Sequence, residues 1–221
     1  MRPTPTMIDD ALRFMDVPPQ ERHGDLALQV EQTFLALEEV IRPRGVWGRF
    51  PVDVRPDGIA VAGFTVPGAD LGKLLARCKE CFLMAVTLGS EADRAILRAQ
   101  KRNMLDGMML DACASVRADA FCDETEAQVM AELGSGEYLT MRYSPGYGDA
   151  PLQVSEDIIA ALDATRRIGL SMTKSFMMTP VKSITAFIGV SGQKEERARS
   201  CDLCANHDTC PYRKKGERCG T

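Results

Sequence analysis

Apolar positions along this chain fall into segments of two periods. From Asp25 to Ile41, the residues Leu26, Val30, Phe34, Leu37 and Ile41 recur every three or four positions, which predicts an amphipathic helix. Pro43 and Gly45 end it. Upstream, residues 1–24 mix proline with charge, and a short helix is expected around Ile8–Met15, followed by a loop. Gly58–Val66 alternates weakly and is rich in β-formers, so one strand is expected there, closed by Pro67-Gly68. Ala69–Ala76 reads as helix, and Cys81–Leu88 as a buried strand that stops at Gly89.

The middle of the chain is mostly helical. Glu91–Gln100 is one short piece, and a long helix runs from Met104 to about Leu133 with a stripe at Leu105, Met109, Ala112 and Val116. Asp119 continues that stripe by spacing, leaving two readings: an acid on an apolar face in need of a partner, or a helix that has left the core. Ser155–Ile168 is a further helix, with Ser155 as N-cap and Gly169 as the stop. Lys182–Val190 alternates, placing Ile184, Ala186, Ile188 and Val190 on one face of a strand. Helices and strands do not alternate regularly. The expected fold is therefore α+β, a mainly antiparallel twisted sheet with flanking helices. Beyond Gly192 the periodicity stops, so residues 1–192 are read as one domain and 193–221 as a Cys-rich tail.

Composition narrows the classes. Hydrophobic residues at 45% and charged residues at 26% suit one ordinary globular domain in 221 residues. A net charge of −4 gives no chain-wide electrostatic case for nucleic acid. No apolar run approaches the roughly 18–20 residues that span a bilayer, and Met1 to Asp10 lacks a signal-peptide core. The expectation is a cytoplasmic protein with no membrane partner, whose eight Cys stay reduced.

Two places carry candidate chemistry. Cys201-x2-Cys204-x5-Cys210-x8-Cys219 puts four thiols within nineteen residues, and a Cys pair two residues apart can place both sulfurs on one ion. A structural zinc and an iron–sulfur cluster are the candidates, with His207 as an alternative fourth zinc ligand and neither standard ferredoxin spacing matched. Reduced thiols on a plain tail are the other reading. Arg213, Lys214, Lys215 and Arg218 would suit a zinc-ribbon nucleic-acid binder, but the overall acidity and the lack of interleaved aromatics oppose it. Cys78-x2-Cys81 is weaker, and Cys113 and Cys122 read as helix-core positions.

The second place is Arg142-Tyr143-Ser144-Pro145-Gly146-Tyr147, between two expected helices. Pro145 fixes φ and Gly146 tolerates positive φ, so a turn is expected there. It presents a cation and a phenol from one loop, an arrangement suited to a ligand with a carboxylate at one end and a flat ring at the other. A surface turn with a solvated Arg and a packed Tyr is the alternative.

Several segments in order resemble the activation domain of vitamin B12-dependent methionine synthase. They are Ala85-Val86-Thr87-Leu88-Gly89 with Glu91-Ala92-Asp93-Arg94, Leu110-Asp111-Ala112 with Ser115 and Asp119, the Arg142–Tyr147 loop, Ile168–Pro180, and Lys182-Ser183-Ile184-Thr185-Ala186. The resemblance covers about Leu83 to Val190, roughly half the chain. It implies binding of S-adenosylmethionine and docking on a cobalamin domain whose cofactor has decayed to cob(II)alamin. One electron from flavodoxin, ferredoxin or a similar donor, coupled to methyl transfer, then restores methylcobalamin. By the same resemblance Arg142 meets the ligand's carboxylate end, Tyr147 is the loop tyrosine, Ser144 and Gly146 lie where backbone contacts are made, and Asp119 stands where a Glu usually faces the ammonium.

The chain also departs from that pattern. Lys174 replaces a usual acid, and no counterpart of the family's N-terminal ligand-contacting Asp is identified. The Cys-rich tail takes the place of an extension carrying another family Tyr. No Asp-x-His-x-x-Gly cobalamin motif occurs, so the corrinoid partner is expected on a separate chain. A non-catalytic docking or sensing module with a structural metal in the tail is the alternative function.

Overall fold

The computed structural model describes residues 1–194, together with Asp208 and Arg213. Cys201, Cys204, Cys210, Cys219 and His207 lie outside the described residues. Helices α1 (Pro5–Phe14) and α2 (Gly24–Val40) come first, followed by strands β1 (Arg44–Arg55), β2 (Gly58–Val61) and β3 (Phe64–Pro67). Helix α3 (Ala69–Leu74) leads into β4 (Cys78–Thr87), and α4 (Ser90–Arg102) into the long α5 (Met104–Met130). After β5 (Tyr138–Leu139) come α6 (Val154–Ala161), α7 (Ala164–Ile168), the pair β6 (Ser171–Met172) and β7 (Met178–Thr179), and β8 (Ser183–Ser191).

The sheet order is β3-β2-β1-β4-β8-β5, with every pairing antiparallel. β4 is its centre, and Cys81 to Thr87 are all buried. Alternate residues therefore face opposite layers. Cys81, Leu83 and Ala85 pack with Phe187 against Leu71 and Leu75 around α3 and against Ile158 and Ile168 of α6 and α7. Phe82, Met84 and Val86 pack with Ala186, Ile188 and Val190 against Cys122 and Val129 of α5. On its other side α5 meets α1, α2 and α4 through Leu12, Phe34, Leu37 and Ile96. Each such fully buried side chain contributes about 1.5–3 kcal/mol from burial.

The periodic segments of the sequence correspond to α1, α2, α4, α5, β4 and β8, and the α+β architecture is as expected. Four local features differ. β1 had no signal, because Gly45, Gly48 and Pro51 punctuate it like a loop. Gly45 lies where α5 crosses, and a Cβ there would lie 3.1 Å from Thr125 Oγ1, tighter than ordinary contact. The single strand expected at Gly58–Val66 is a hairpin, turned by Ala62 (φ 49) and Gly63 (φ 87). The helix expected over Ser155–Ile168 is broken at Asp163 (φ 50), though Gly169 does stop it with φ 72. Ser155 is not the N-cap. It is buried inside α6, and its hydroxyl accepts from Thr185 Oγ1 at 3.0 Å.

At the β4–β1 end of the sheet, Arg49 forks onto two carboxylates. Its Nη2 lies 2.6 Å from both Glu80 Oε2 and Glu137 Oε1. The Arg49 hydrogen bonds, reinforced by the Gly134 amide, lower the Glu137 carboxyl to about 2. Its folded value lies below the unfolded one, so the contact stabilises at pH values above about 4.5 and is lost as pH falls toward 2. The variant Glu137→Gln is expected to flatten the fall in melting temperature between about pH 4.5 and pH 2. An acid limb identical to that of the unaltered chain would contradict this.

Candidate functional site

The chain that leaves α5 returns along the outer edge of β8. Tyr138 and Leu139 pair with Ser191 and Val190. The Thr140 amide donates to the Gly189 carbonyl at 2.9 Å, while the Gly189 amide is answered by Thr140 Oγ1 at 2.8 Å. Pairing resumes where Tyr143 exchanges two backbone bonds with Phe187, at 2.9 and 2.8 Å. Met141 and Arg142 thus stand opposite Ile188 alone, which makes a bulge. The bulge takes Arg142 out of the ladder, and its side chain reaches α5.

There Arg142 Nη1 donates to Asp123 Oδ1 at 2.5 Å and to Glu126 Oε2 at 2.9 Å. Burial opposes the guanidinium charge, but the Asp123 hydrogen bond and the neighbouring charges outweigh it, so its pKa stays above the usual arginine value. Asp119 lies one helical turn before Asp123 and is exposed. Of its two readings, the solvent-facing one describes the structure. The core-facing line of α5 passes instead through Ala118, Cys122, Thr125 and Val129.

The rest of the loop is held from within and from α3. Pro145 is buried and Gly146 has φ +90, so the turn forms there, with the Gly146 amide 2.9 Å from the Ala150 carbonyl. Ser144 is half-buried, and its carbonyl accepts from the Tyr147 amide at 3.3 Å. Tyr143 Oη donates to the Tyr147 carbonyl at 2.8 Å, leaving the Tyr147 ring 68% exposed. Asp149 accepts from the Ala69 and Asp70 amides at 2.5 and 3.2 Å, which tethers the loop to the start of α3. Those amide bonds, the Ala69 one foremost, hold the Asp149 carboxyl below its ordinary value.

The structure therefore places Arg142, Ser144, Gly146 and Tyr147 in one loop and brings Arg142 to the α5 face that also carries Asp119. Sequence reading did not single out Asp123, Glu126 or Asp149. The first two were legible as a pattern, because Asp119, Asp123 and Glu126 follow helical i, i+4, i+7 spacing. Other resembling segments meet elsewhere: Lys182 Nζ lies 2.8 Å from Ser115 Oγ and 2.9 Å from Asp111 Oδ1, and Asp93 accepts from the Val181 amide at 2.9 Å. Lys174 is exposed in the β6–β7 turn.

Cys78, Cys81, Cys113 and Cys122 are buried. Burial pushes Cys81, Cys113 and Cys122 up to about 12, so near neutral pH they are protonated packing residues rather than nucleophiles. Among the described residues no group of three or more His, Cys, Asp or Glu is placed to hold a metal ion. No described helix is long and apolar enough to cross a membrane. Clefts of about 300 Å³ by Phe14, Met108 and Ser115 and about 710 Å³ by Arg49, Arg77 and Lys79 lie away from the Arg142 loop, whose residues 146–149 make an exposed shelf.

The fold is shared with the crystal structure of the MetH reactivation domain bound to AdoHcy, with a TM-score of 0.62 over 96% of this chain and 83% of that one. At 17% identity that likeness speaks to the fold alone. No curated protein matches the chain in sequence. The family model of the vitamin B12-dependent methionine synthase activation domain matches residues 81–214, which hold β4 from Cys81 onward, α4, α5, the whole Arg142 loop and β8. This chain belongs to the family of vitamin B12-dependent methionine synthase activation domains.

Proposed function

We propose that this chain binds S-adenosylmethionine on the Arg142–Tyr147 shelf. There it supports reductive methylation of cob(II)alamin in a corrinoid-dependent methionine synthase or methyltransferase carried on a separate chain. Family membership carries this reading, because the match includes every residue of the shelf and of the α5 face beside it. The ligand of the similar MetH structure, AdoHcy, is the demethylated form of the proposed one.

In this reading the Arg142 guanidinium receives the ligand's carboxylate, Asp119 faces its ammonium, and the exposed Tyr147 ring lies against the base. Ser144 and the positive-φ turn at Gly146 offer backbone groups between them. With a reductant such as flavodoxin or ferredoxin supplying one electron, the methyl group passes from the sulfonium to reduced cobalamin, giving methylcobalamin and S-adenosylhomocysteine. None of these residues has to act as acid or base; their contribution is placement of the methyl donor. An open shelf suits that task, because the reacting methyl must be reached by a cofactor held on another protein.

Cys201, Cys204, Cys210 and Cys219 are proposed as thiolate ligands of one metal ion or cluster. Four thiolates suit both zinc and iron–sulfur chemistry. A protein purified without oxygen is expected to contain stoichiometric metal, brown and iron-bearing for a cluster that relays the electron. A colourless preparation with zinc alone would remove the relay and leave a structural site.

One observation favours the alternative of a non-catalytic docking or sensing module: Arg142 is already engaged by Asp123 and Glu126. Calorimetric titration with S-adenosylmethionine separates the two. Binding by the unaltered chain is expected, and Arg142→Ala is expected to weaken it tenfold or more, about the worth of a charge-assisted hydrogen bond. Equal affinity in the variant would refute the assignment of Arg142.

A further inference from the structure

We infer that Glu126 is a positioning residue: it holds Arg142 by Nη1 alone, so that the Nε–Nη2 edge of the guanidinium faces the shelf ready for a ligand carboxylate. The inference rests on the reading of the shelf as the S-adenosylmethionine site.

Three observations support it. Arg142 comes from a bulge, where no strand ladder fixes its direction, so a side-chain contact has to. Among the described residues both hydrogen bonds of the guanidinium leave from Nη1. Among the described residues Nε and Nη2 have no protein partner, and the Arg142 side chain keeps 15% of its surface exposed. These two N–H groups point the same way and match the two oxygens of a carboxylate.

The two acids are not equivalent. Asp123 is 68% exposed, and water screens its pairing with Arg142. Glu126 is 9% exposed and lies near the C-terminal end of α5, between Cys122 and Val129, which pack against the sheet, so its oxygen is held in place. Its carboxylate therefore sets the guanidinium's orientation, while Asp123 adds charge at the rim. An unheld Arg142 would still be cationic, but ordering it would then fall to the ligand. Glu126 thus acts through Arg142, on the carboxylate end of the ligand only.

The test compares two ligands, S-adenosylmethionine and 5′-deoxy-5′-methylthioadenosine, which lacks the amino-acid end, by ligand-observed NMR that reads millimolar affinities. Glu126→Ala is expected to weaken S-adenosylmethionine about tenfold while the truncated ligand stays within about twofold. Should that variant fold poorly, Glu126→Gln keeps the size and one acceptor oxygen, and a smaller weakening confined to S-adenosylmethionine is expected. Asp123→Asn is expected to leave both affinities within about twofold. Equal loss for both ligands, no loss for either, or as large an effect from Asp123→Asn would overturn the inference. The Arg142 Nε–H resonance gives a ligand-free readout: it should be sharp and separate in the unaltered chain, broadened in the Glu126 variants and kept in Asp123→Asn. If the unaltered chain binds neither ligand, the site reading fails, and this resonance still decides whether Glu126 holds Arg142.

Discussion

A strand buried on both faces must be covered twice, and β4 imposes that condition on the rest of the chain. Its odd-numbered side chains call for the α3, α6 and α7 layer, and its even-numbered ones for α5. Because α5 in turn lies under α1, α2 and α4, it is packed on two sides, unlike a surface helix with one apolar stripe. The rigidity of α5 matters for function. A carboxylate mounted on a packed helix moves less than one on a loop, and it is the sheet-packed end of α5 that meets Arg142.

The β8 edge supplies the other half of the site. The incoming chain pairs with β8 at residues 138–140, slips by one residue, and pairs again at Tyr143. Thr140 compensates locally, its hydroxyl standing in for a carbonyl to satisfy the buried Gly189 amide. The slip turns a plain edge strand into one that projects a cation toward α5. The loop beyond is braced by Tyr143 on Tyr147 and by Asp149 on α3, which gives the shelf its shape.

How much of this was legible depended on the kind of signal. Helical periods located α2, α4 and α5, and the apolar run Cys81–Leu88 located the central strand. β1 was hidden, because its glycines and Pro51 answer to tertiary contacts such as Thr125 against Gly45, which leave no periodic trace. Ala62 and Asp163 adopt positive φ where sequence statistics expect glycine, so a hairpin and a helix break went unseen. At the site, the Pro145-Gly146 turn and the residues Arg142 and Tyr147 were readable. The pairing of Arg142 with Asp123 and Glu126 was not, although their helical spacing was, since a one-residue slip between positions 140 and 143 decides which turn of α5 it meets. Asp119 looked like a stripe residue only because four matches to the period masked the drift of the core-facing line along a 27-residue helix.

The role proposed for this domain is to present S-adenosylmethionine to a corrinoid on another protein. The most direct measurement is anaerobic absorbance spectroscopy of a corrinoid methyltransferase that lacks its own activation domain and is loaded with cob(II)alamin, mixed with reduced flavodoxin, S-adenosylmethionine and this chain. The cob(II)alamin spectrum is expected to give way to that of methylcobalamin only when the chain and S-adenosylmethionine are both present, and Arg142→Ala is expected to slow the conversion. Conversion no faster with the chain than without it would rule that role out.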